Sequence, residues 1–406
     1  MPGFARRRGR LRPMVRAVVP RRLQLCASIC VLGAILQASA PAQRQVLDKV
    51  EFRLGAAPVP VEGTSGRTHI GYELHVTARA QGGDLQLERL EVFGEREIEP
   101  LVSYGPDELE GRVRPDVERN VRNGRVVRRD TTAVVNVWVT VPQGRRVPKF
   151  LRNVLRASDA GSETVVGDLR VNVHERAPLV LGPPIRGGLW ISHNGPGDYR
   201  AAHWGSVLVK GRRITVPQRF AIDFMGLEAT GRGVRGRLQG SSNADWVGFG
   251  AEVIAVADGV IREARDGVVD NPPLFEPGPP ANPELSATGG KYVVLQLGRK
   301  TQVHYAHLQQ GSVAVRTGQR IRRGQLLGRL GNSGNTNGAH LHFNVVDDAL
   351  IANAEGLPYV FDSFEVLGTT TVDAAFGDAA TTRPSPPAQV RRALPLNDTI
   401  VGFPRN

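Results

Sequence analysis

Residues 331–346 read GNSGNTNGAHLHFNVV, a loop rich in glycine and asparagine that leads directly into an alternating strand. Side chains two residues apart in a strand share one face, roughly 7 Å apart, so His340 and His342 lie on the same side. Leu341 and Phe343 point the other way, towards a core. A phosphate-binding loop opens a helix, whereas this loop opens a strand, so we exclude a phosphate cradle. Two imidazoles on one face can divide the tasks of binding a metal and acting on a substrate.

A second strand, Arg219–Phe224, carries a carboxylate on its polar face. Its aromatic and aliphatic residues alternate to form an apolar face, and Asp223 points the other way. Zinc accepts imidazole nitrogen and carboxylate oxygen in tetrahedral geometry, and three protein ligands leave one position for water. Both cysteines lie within the first 30 residues. Histidine and aspartate are therefore the natural zinc ligands in the rest of the chain.

Short strands separated by turn residues run through most of the chain. The 47 glycines and 28 prolines among 406 residues favour strands and turns over a helical bundle. Alternation predicts an N-terminal β-sandwich of immunoglobulin-like size at 45–180, in which the charged stretch Gly105–Arg129 is a loop. A second domain is predicted at 187–366, with a Pro-rich insertion near 271–283, followed by a C-terminal extension at 367–406. The predicted strands are Tyr72–Thr77, Leu85–Val92, Ala133–Val141, Val165–Val173, Arg219–Phe224, Glu252–Ala257, Gly259–Arg265, Tyr292–Leu297, Thr301–His307, Gln325–Leu330 and His340–Val345.

The N-terminus has the pattern of a secretory signal. Eight arginines precede the apolar run Leu23–Leu36, and Ala38-Ser39-Ala40 follows it, so residues 1–40 are predicted to be a signal peptide. The apolar run is too short to cross about 30 Å of hydrocarbon as a helix. The pattern predicts export to the periplasm or the cell exterior, with no transmembrane anchor in the mature chain.

The charge distribution argues against nucleic-acid binding. The formal net charge is +13, but eight of the arginines lie in residues 1–40, which contain no acidic residue, so the remainder carries +5. That leaves no strong basic stripe for a nucleic acid. A biotinyl-type carrier is also disfavoured: the glycine-punctuated segment Val315–Leu327 resembles one, but the nearest lysine, Lys300, is not at the hairpin that such carriers modify.

Several motifs in order resemble the lysostaphin-like, LytM-type zinc metallopeptidases (metallopeptidase family twenty-three). The resemblance covers the region from about Trp190 to Asp347. It implies a small antiparallel β-domain with a groove, and an activity that cleaves peptide bonds in peptidoglycan. The motifs that carry it are Ala221-Ile222-Asp223, Val253–Val260, Tyr305-Ala306-His307-Leu308, Val315–Gly328 and Gly334–Phe343.

The same resemblance implies a set of site residues. Asp223 and His342 would bind Zn²⁺, and His307 and His340 would be the catalytic histidines beside the attacked carbonyl. No glutamate base of the H-E-x-x-H kind is available, so an imidazole must move the proton. His304, on the strand face opposite His307, is assigned no such role.

One position departs from the family pattern. The usual first ligand is a histidine four residues before the aspartate, and this chain has Arg219 there. A guanidinium has no lone pair to give and does not bind zinc. We expect His203 to take the vacant place, with His193 as the competing candidate. His69 and His75 are isolated in the N-terminal region and are interpreted as surface or strand residues.

Two functions follow from this sequence. The fold class is all-β, an immunoglobulin-like β-sandwich followed by a LytM-type antiparallel β metallopeptidase domain. The first function is an exported zinc-dependent endopeptidase whose substrate is the peptide of peptidoglycan. The alternative is a catalytically inactive regulator or cell-wall-binding protein, which follows if neither upstream histidine reaches the metal.

Overall fold

The computed structural model describes residues 43–115, 124–159, 163–278, 284–377 and 384–405. The predicted signal peptide, 1–40, lies outside these residues, and so does the end of the Pro-rich insertion, 279–283. Within the described ranges, we find no helix that combines the length and the apolar character needed to cross a membrane.

The first part of the described chain forms two antiparallel sheets. One has the strand order β1-β2-β4-β9-β7, with β3 beside β4, and the other has the order β11-β10-β5-β6, with β8 beside β5. The elements are β1 (Arg44–Val46), β2 (Val50–Leu54), β3 (Pro60–Glu62), β4 (Thr68–Ala78), β5 (Leu85–Phe93), β6 (Val102–Tyr104), α1 (Pro106–Arg112), β7 (Val113–Pro115), β8 (Val126–Val127), β9 (Thr132–Thr140), β10 (Phe150–Asp159) and β11 (Glu163–Asn172).

The two sheets pack face to face as a β-sandwich. Phe52 and Tyr72 of the first sheet share one core with Leu90 and Leu155 of the second, and all four are buried. The predicted β-sandwich is therefore confirmed. The prediction of a loop at Gly105–Arg129 is wrong where α1, β7 and β8 lie. The helix forms because proline in the first turn and acidic residues beside it favour a helix start.

The second part of the described chain builds one large sheet and two small ones. The elements are β12 (Leu179–Leu181), β13 (Leu189–His193), β14 (Leu208–Lys210), β15 (Arg213–Thr215), β16 (Ile222–Leu227), β17 (Glu252–Ile254), β18 (Gly259–Arg265), α2 (Leu285–Thr288), β19 (Tyr292–Gly298), β20 (Thr301–Ala306), β21 (Arg320–Ile321), β22 (Leu326–Arg329), β23 (Leu341–Val346), β24 (Tyr359–Thr369), α3 (Val372–Phe376), β25 (Ala388–Ala393) and β26 (Thr399–Gly402). Short 3₁₀ turns occur at Ala202–Gly205, Asn243–Asp245 and Ile351–Asn353.

The large sheet has the order β12-β24-β26-β13-β16-β23-β20-β19-β18-β21, with β25 beside β24. Its strands pair antiparallel except β12 with β24. The segment 367–406 contributes β25 and β26, and Ile400 and Val401 of β26 are fully buried. Leu341 and Phe343 of β23 lie in the same core, as the alternation predicts. The all-β fold class is confirmed. Three neighbouring strands of the large sheet, β16, β23 and β20, position the site.

Candidate metal centre

Two adjacent strands bring a carboxylate and an imidazole together at the edge of the core. Asp223 in β16 lies directly opposite His342 in β23. Directly opposite residues of an antiparallel pair project to the same face, with their Cβ atoms about 5 Å apart. His342 Nδ1 accordingly lies 3.0 Å from Asp223 Oδ1. Both side chains are buried.

A third side chain reaches the same carboxylate from a 3₁₀ turn. His203 lies in the turn Ala202–Gly205, and its Nε2 atom is 3.3 Å from Asp223 Oδ2. On the other edge of the ring, Nδ1 is 3.0 Å from the backbone oxygen of Asn194. His203 and His342 also meet edge to face, with ring centroids 4.7 Å apart.

The ligand atoms of His203, Asp223 and His342 all lie within 4.8 Å of one another. Two imidazoles and one carboxylate are a donor set that zinc prefers. Ligands 2.0–2.2 Å from a tetrahedral zinc ion are about 3.4 Å from one another. His342 Nδ1 lies 3.0 Å from Asp223 Oδ1 and His203 Nε2 lies 3.3 Å from Asp223 Oδ2, so each imidazole is near that spacing from one of the two carboxylate oxygens. The residues present therefore fit a zinc ion.

Two further histidines border this cluster. His307 follows β20, and its ring centroid lies 4.7 Å from that of His340 and 5.9 Å from that of His342. His340 comes just before β23, and its Nε2 atom is 3.4 Å from Asp223 Oδ1. The structure thus brings together all five predicted site residues.

Backbone carbonyls fix the tautomer of three of these rings. Nδ1 of His203 faces the oxygen of Asn194, Nδ1 of His307 faces that of Ser333 at 2.8 Å, and Nδ1 of His340 faces that of Gly338 at 2.9 Å. A carbonyl oxygen only accepts a hydrogen bond, so each Nδ1 donates and each neutral ring keeps a lone pair on Nε2. The lone pairs of His203 and His340 face a carboxylate. This is an arrangement that a cation stabilises, and second bonds of this kind orient metal-binding histidines.

Burial and neighbouring groups shift the pKa values of the site in different directions. Burial opposes ionisation of Asp223, but the imidazoles of His203 and His340 outweigh it and hold the pKa of the carboxyl well below its usual range. Burial, together with His340 and His342, lowers the pKa of His307 well below its ordinary value. Burial acts in the same direction on His340, but the Asp223 carboxylate outweighs it and raises the pKa of that imidazole. His307 is consequently a neutral ring and a weaker base than a free imidazole.

Neither the competing candidate nor the departing position belongs to the group of three. His193 is opposite Asp223 in the strand register, but the ligand atoms within 4.8 Å of one another are those of His203, Asp223 and His342, and Nδ1 of His193 lies 3.8 Å from the carboxylate of Asp398. Arg219 donates from Nε to Glu73 at 2.6 Å and from Nη2 to Glu355 at 2.7 Å. The guanidinium at the position of the usual histidine is therefore held in a buried network of ion pairs.

Sequence analysis missed the role of Asn194. Its side-chain Nδ2 donates to Asp223 Oδ2 at 2.9 Å, while its carbonyl accepts from His203. One residue therefore orients two members of the cluster. Its backbone φ of 51° lies in the left-handed region, which asparagine tolerates better than most residues. The only signal in the sequence was its place after a strand, before Gly195 and Pro196.

A buried His–Asp–His cluster on an antiparallel sheet, bordered by two more histidines, is the arrangement of a metallopeptidase. Comparison with known proteins agrees with this class. The family model of Peptidase family M23 matches residues 244–353. That range contains His307, His340 and His342 but neither His203 nor Asp223. Residues 244–353, in the second part of this chain, are thus similar to the peptidase domain of family M23.

Individual relatives match over short stretches. The peptidoglycan DD-endopeptidase ShyA of Vibrio cholerae is 40% identical over 57 residues, which are 14% of this chain and 13% of ShyA. The peptidoglycan DD-endopeptidase ShyC of the same organism is 26% identical over 121 residues, 30% of this chain and 23% of ShyC. The chain therefore spans less than a quarter of the length of either relative.

Among solved structures, a zinc-containing peptidase from Vibrio cholerae aligns over 77% of this chain and 86% of its own length, at 14% identity and a TM-score of 0.21.

Proposed function

We propose that this protein is an exported zinc-dependent endopeptidase that hydrolyses peptide bonds in peptidoglycan. The family M23 match and the peptidoglycan endopeptidases ShyA and ShyC support the reaction class and the substrate. The observation that carries the proposal is the convergence of His203, Asp223 and His342, with two tautomer-fixed histidines beside them. Export is proposed from the signal pattern in residues 1–40. The peptidase unit is proposed at 187–366, and the segment that follows it adds β25 and β26 to its large sheet.

In this proposal the chain's residues divide into two groups. His203, Asp223 and His342 hold the zinc ion, and Asn194 orients two of them through its amide and its carbonyl. Zinc supplies a Lewis acid that polarises a carbonyl and lowers the pKa of water towards about 7.

The second group, His307 and His340, moves protons and binds the developing oxyanion. Each ring donates from Nδ1 to a backbone carbonyl, so Nε2 is the atom that exchanges a proton with water or substrate. The hydrogen bond at Nδ1 holds each ring in one tautomer and one orientation before the reaction, so only Nε2 is available for proton transfer. A positioned acid or base of this kind contributes typically 10²–10⁴-fold to the rate.

The proposal is tested with the mature protein and purified peptidoglycan. Soluble peptides released are identified by mass spectrometry, with zinc present, with a chelator, and with zinc added back. We expect hydrolysis of peptide cross-links that stops with the chelator and returns with zinc. Cleavage that continues in the chelator would exclude the zinc mechanism.

Variants separate the two groups of residues. We expect His342→Ala to lose both zinc and hydrolysis. His307→Ala and His340→Ala should keep zinc and lose hydrolysis by about 10²-fold or more. His174→Ala, at an exposed position, is the matched control and should resemble the wild type. A wild-type protein that binds one zinc ion and releases no peptide would favour the non-catalytic regulator instead.

A further inference from the structure

The residue next to His203 is anchored outside the peptidase sheet. Trp204 follows His203 in the turn Ala202–Gly205, and it is buried. Its indole Nε1 donates to Glu73 Oε1 at 2.8 Å, and its backbone oxygen accepts from Asn136 Nδ2 at 3.2 Å. Both partners belong to the N-terminal sandwich, Glu73 in β4 and Asn136 in β9.

The tryptophan ring packs on the same sheet. Trp204 meets Trp138 of β9 edge to face, with ring centroids 5.5 Å apart and an interplanar angle of 77°. Edge-to-face packing of this kind adds about 0.5–1.5 kcal/mol to the burial of the two rings. Three contacts from one sheet therefore hold a single residue of the turn.

The anchor itself is rigid. Glu73 is fully buried, and its charge is compensated by Arg219, which also donates from Nη1 to the oxygen of Gly356 at 2.9 Å. A buried carboxylate is stable only when it is paired and hydrogen-bonded, so its rotamer is fixed by those partners. Arg219 lies four residues before Asp223. One network thus connects the turn with His203 to the strand with Asp223.

From this geometry we propose that the N-terminal sandwich positions a zinc ligand. Glu73 and Asn136 hold Trp204, and Trp204 fixes the turn that aims His203 at Asp223. The sandwich supplies by tertiary contact what a histidine at the position of Arg219, in the turn just before β16, would supply by its closeness to Asp223 in the chain. Trp204 is accordingly a positioning residue for metal binding. This inference rests on the zinc site of the proposed function.

The test measures metal binding, which is independent of peptidase activity. The whole chain is freed of metal and titrated with Zn²⁺ against a chromophoric chelator, and its Co²⁺ form is recorded by visible absorption. Trp204→Phe removes the indole N–H and keeps an aromatic ring, while Asn136→Ala releases the backbone of the turn. We expect each to weaken zinc binding about tenfold, as loss of outer hydrogen bonds does at other zinc sites. The bands of four-coordinate Co²⁺ should weaken in parallel.

The control is Tyr72→Phe, which deletes a buried hydrogen bond of 2.7 Å to Asn153 from the residue beside Glu73. It should keep the wild-type zinc affinity and Co²⁺ spectrum, which separates positioning from a general loss of stability. His203→Ala gives the full effect of losing the ligand.

The outcomes distinguish this inference from the proposed function. If Trp204→Phe and Asn136→Ala bind both metals as the wild type does while His203→Ala does not, the inference is overturned and the zinc site stands. If His203→Ala keeps wild-type affinity, both the ligand assignment and the inference are wrong. Should Trp204→Phe fail to fold, as judged by its thermal unfolding without metal, Asn136→Ala carries the same test.

Discussion

At the residue scale, two members of the candidate site have backbone conformations that non-glycine residues rarely adopt. Asn194 has a φ of 51° and His307 a φ of 63°. A left-handed non-glycine residue costs of order 1–3 kcal/mol and persists where the surrounding structure determines it. Both residues aim a ring or an amide at the cluster. Strain at these positions is therefore offset by hydrogen bonds that orient the site.

Asn194 gives a prediction at this scale. Asn194→Gly and Asn194→Ala both delete the hydrogen bond to Asp223, so each should weaken zinc binding about tenfold. Glycine tolerates the positive φ and alanine does not, so the alanine variant should also be less stable than the glycine variant by about 1 kcal/mol. Zinc titration and urea unfolding measure the two effects. Equal zinc affinity in the wild type and Asn194→Gly would show that the amide does not orient Asp223.

At the scale of strands and loops, the alternation of polar and apolar residues predicted which side chains share a face of a strand. The opposite orientations of Leu341 and His342 follow from a period of two, and both were predictable from the sequence. The choice between His203 and His193 was not. It depends on a turn held by Trp204 against another part of the chain, and a tertiary contact of this kind leaves no periodic signal. Pro106 is a signal for the start of α1, but the charged residues around it led to the prediction of a loop.

The loop 331–338 shows how an element is fixed without regular structure. Ser333 donates to the oxygen of Leu308 at 2.8 Å, and Asn335 donates from its backbone to Thr288 at 2.8 Å. A Cβ atom at Gly334, where φ is 86°, would lie 2.3 Å from the nitrogen of Gly290. The loop therefore lies directly on the backbone beside α2. The same loop contains the carbonyls of Ser333 and Gly338, which accept from His307 and His340.

Gly334→Ala is predicted to disturb this contact. Gly318→Ala is a matched control, since Gly318 has a φ of 84° and nothing within 4 Å of the added Cβ. Both variants carry the strain of a positive φ, roughly 1 kcal/mol. Gly334→Ala should lose a further 1–3 kcal/mol or so from the clash, and hydrolysis should slow because the imidazoles lose their alignment. Urea unfolding and peptide release measure both. Identical behaviour of the two variants would contradict the contact.

At the scale of the whole described chain from residue 43 onward, β4 is buried on both faces. Tyr72, Leu74 and Val76 face the core of the sandwich. The alternate residues, His69, Gly71, Glu73 and His75, form the other face. The later part of the chain covers Gly71 and Glu73: a Cβ at Gly71 would lie 3.7 Å from Phe220, and Glu73 accepts from Trp204 and Arg219. His69 and His75 are buried on the same face. The sequence suggests a solvent face there, because polar residues alternate with apolar ones. Only the pairing of distant segments reveals the second interface.

The chain's later segments complete this interface. Leu394 donates to the oxygen of Glu62 at 2.8 Å and accepts from Thr64 at 3.0 Å, so the segment before β26 lies against β3. β26 in turn pairs with β13 of the large sheet. Two imidazoles of β4, those of His69 and His75, are buried on the face of the strand that is turned towards these segments.

Enclosure of these imidazoles predicts a dependence of stability on pH. Burial lowers the pKa of His75 to about 3 and that of His69 to about 4, from 6.5 in an unfolded chain. Between the folded and unfolded values the unfolded state binds more protons, so stability is complete above pH 6.5 and falls as the pH decreases towards 3. Each pKa unit corresponds to about 1.4 kcal/mol.

His75→Gln is expected to reduce this acid sensitivity. The variant lacks one group that takes up a proton when the chain unfolds. Its free energy of unfolding should therefore fall less steeply with decreasing pH than that of the wild type. Below pH 6 the two slopes should differ by about 1.4 kcal/mol per pH unit. Urea unfolding between pH 4.5 and pH 7 measures the slopes. Tyr72→Phe, which alters the same strand without changing a histidine, should keep the wild-type slope. An unchanged slope in His75→Gln would mean that protons reach His75 in the folded chain. Water would then reach the outer face of β4, which would contradict the rigid burial of Glu73 beneath Trp204.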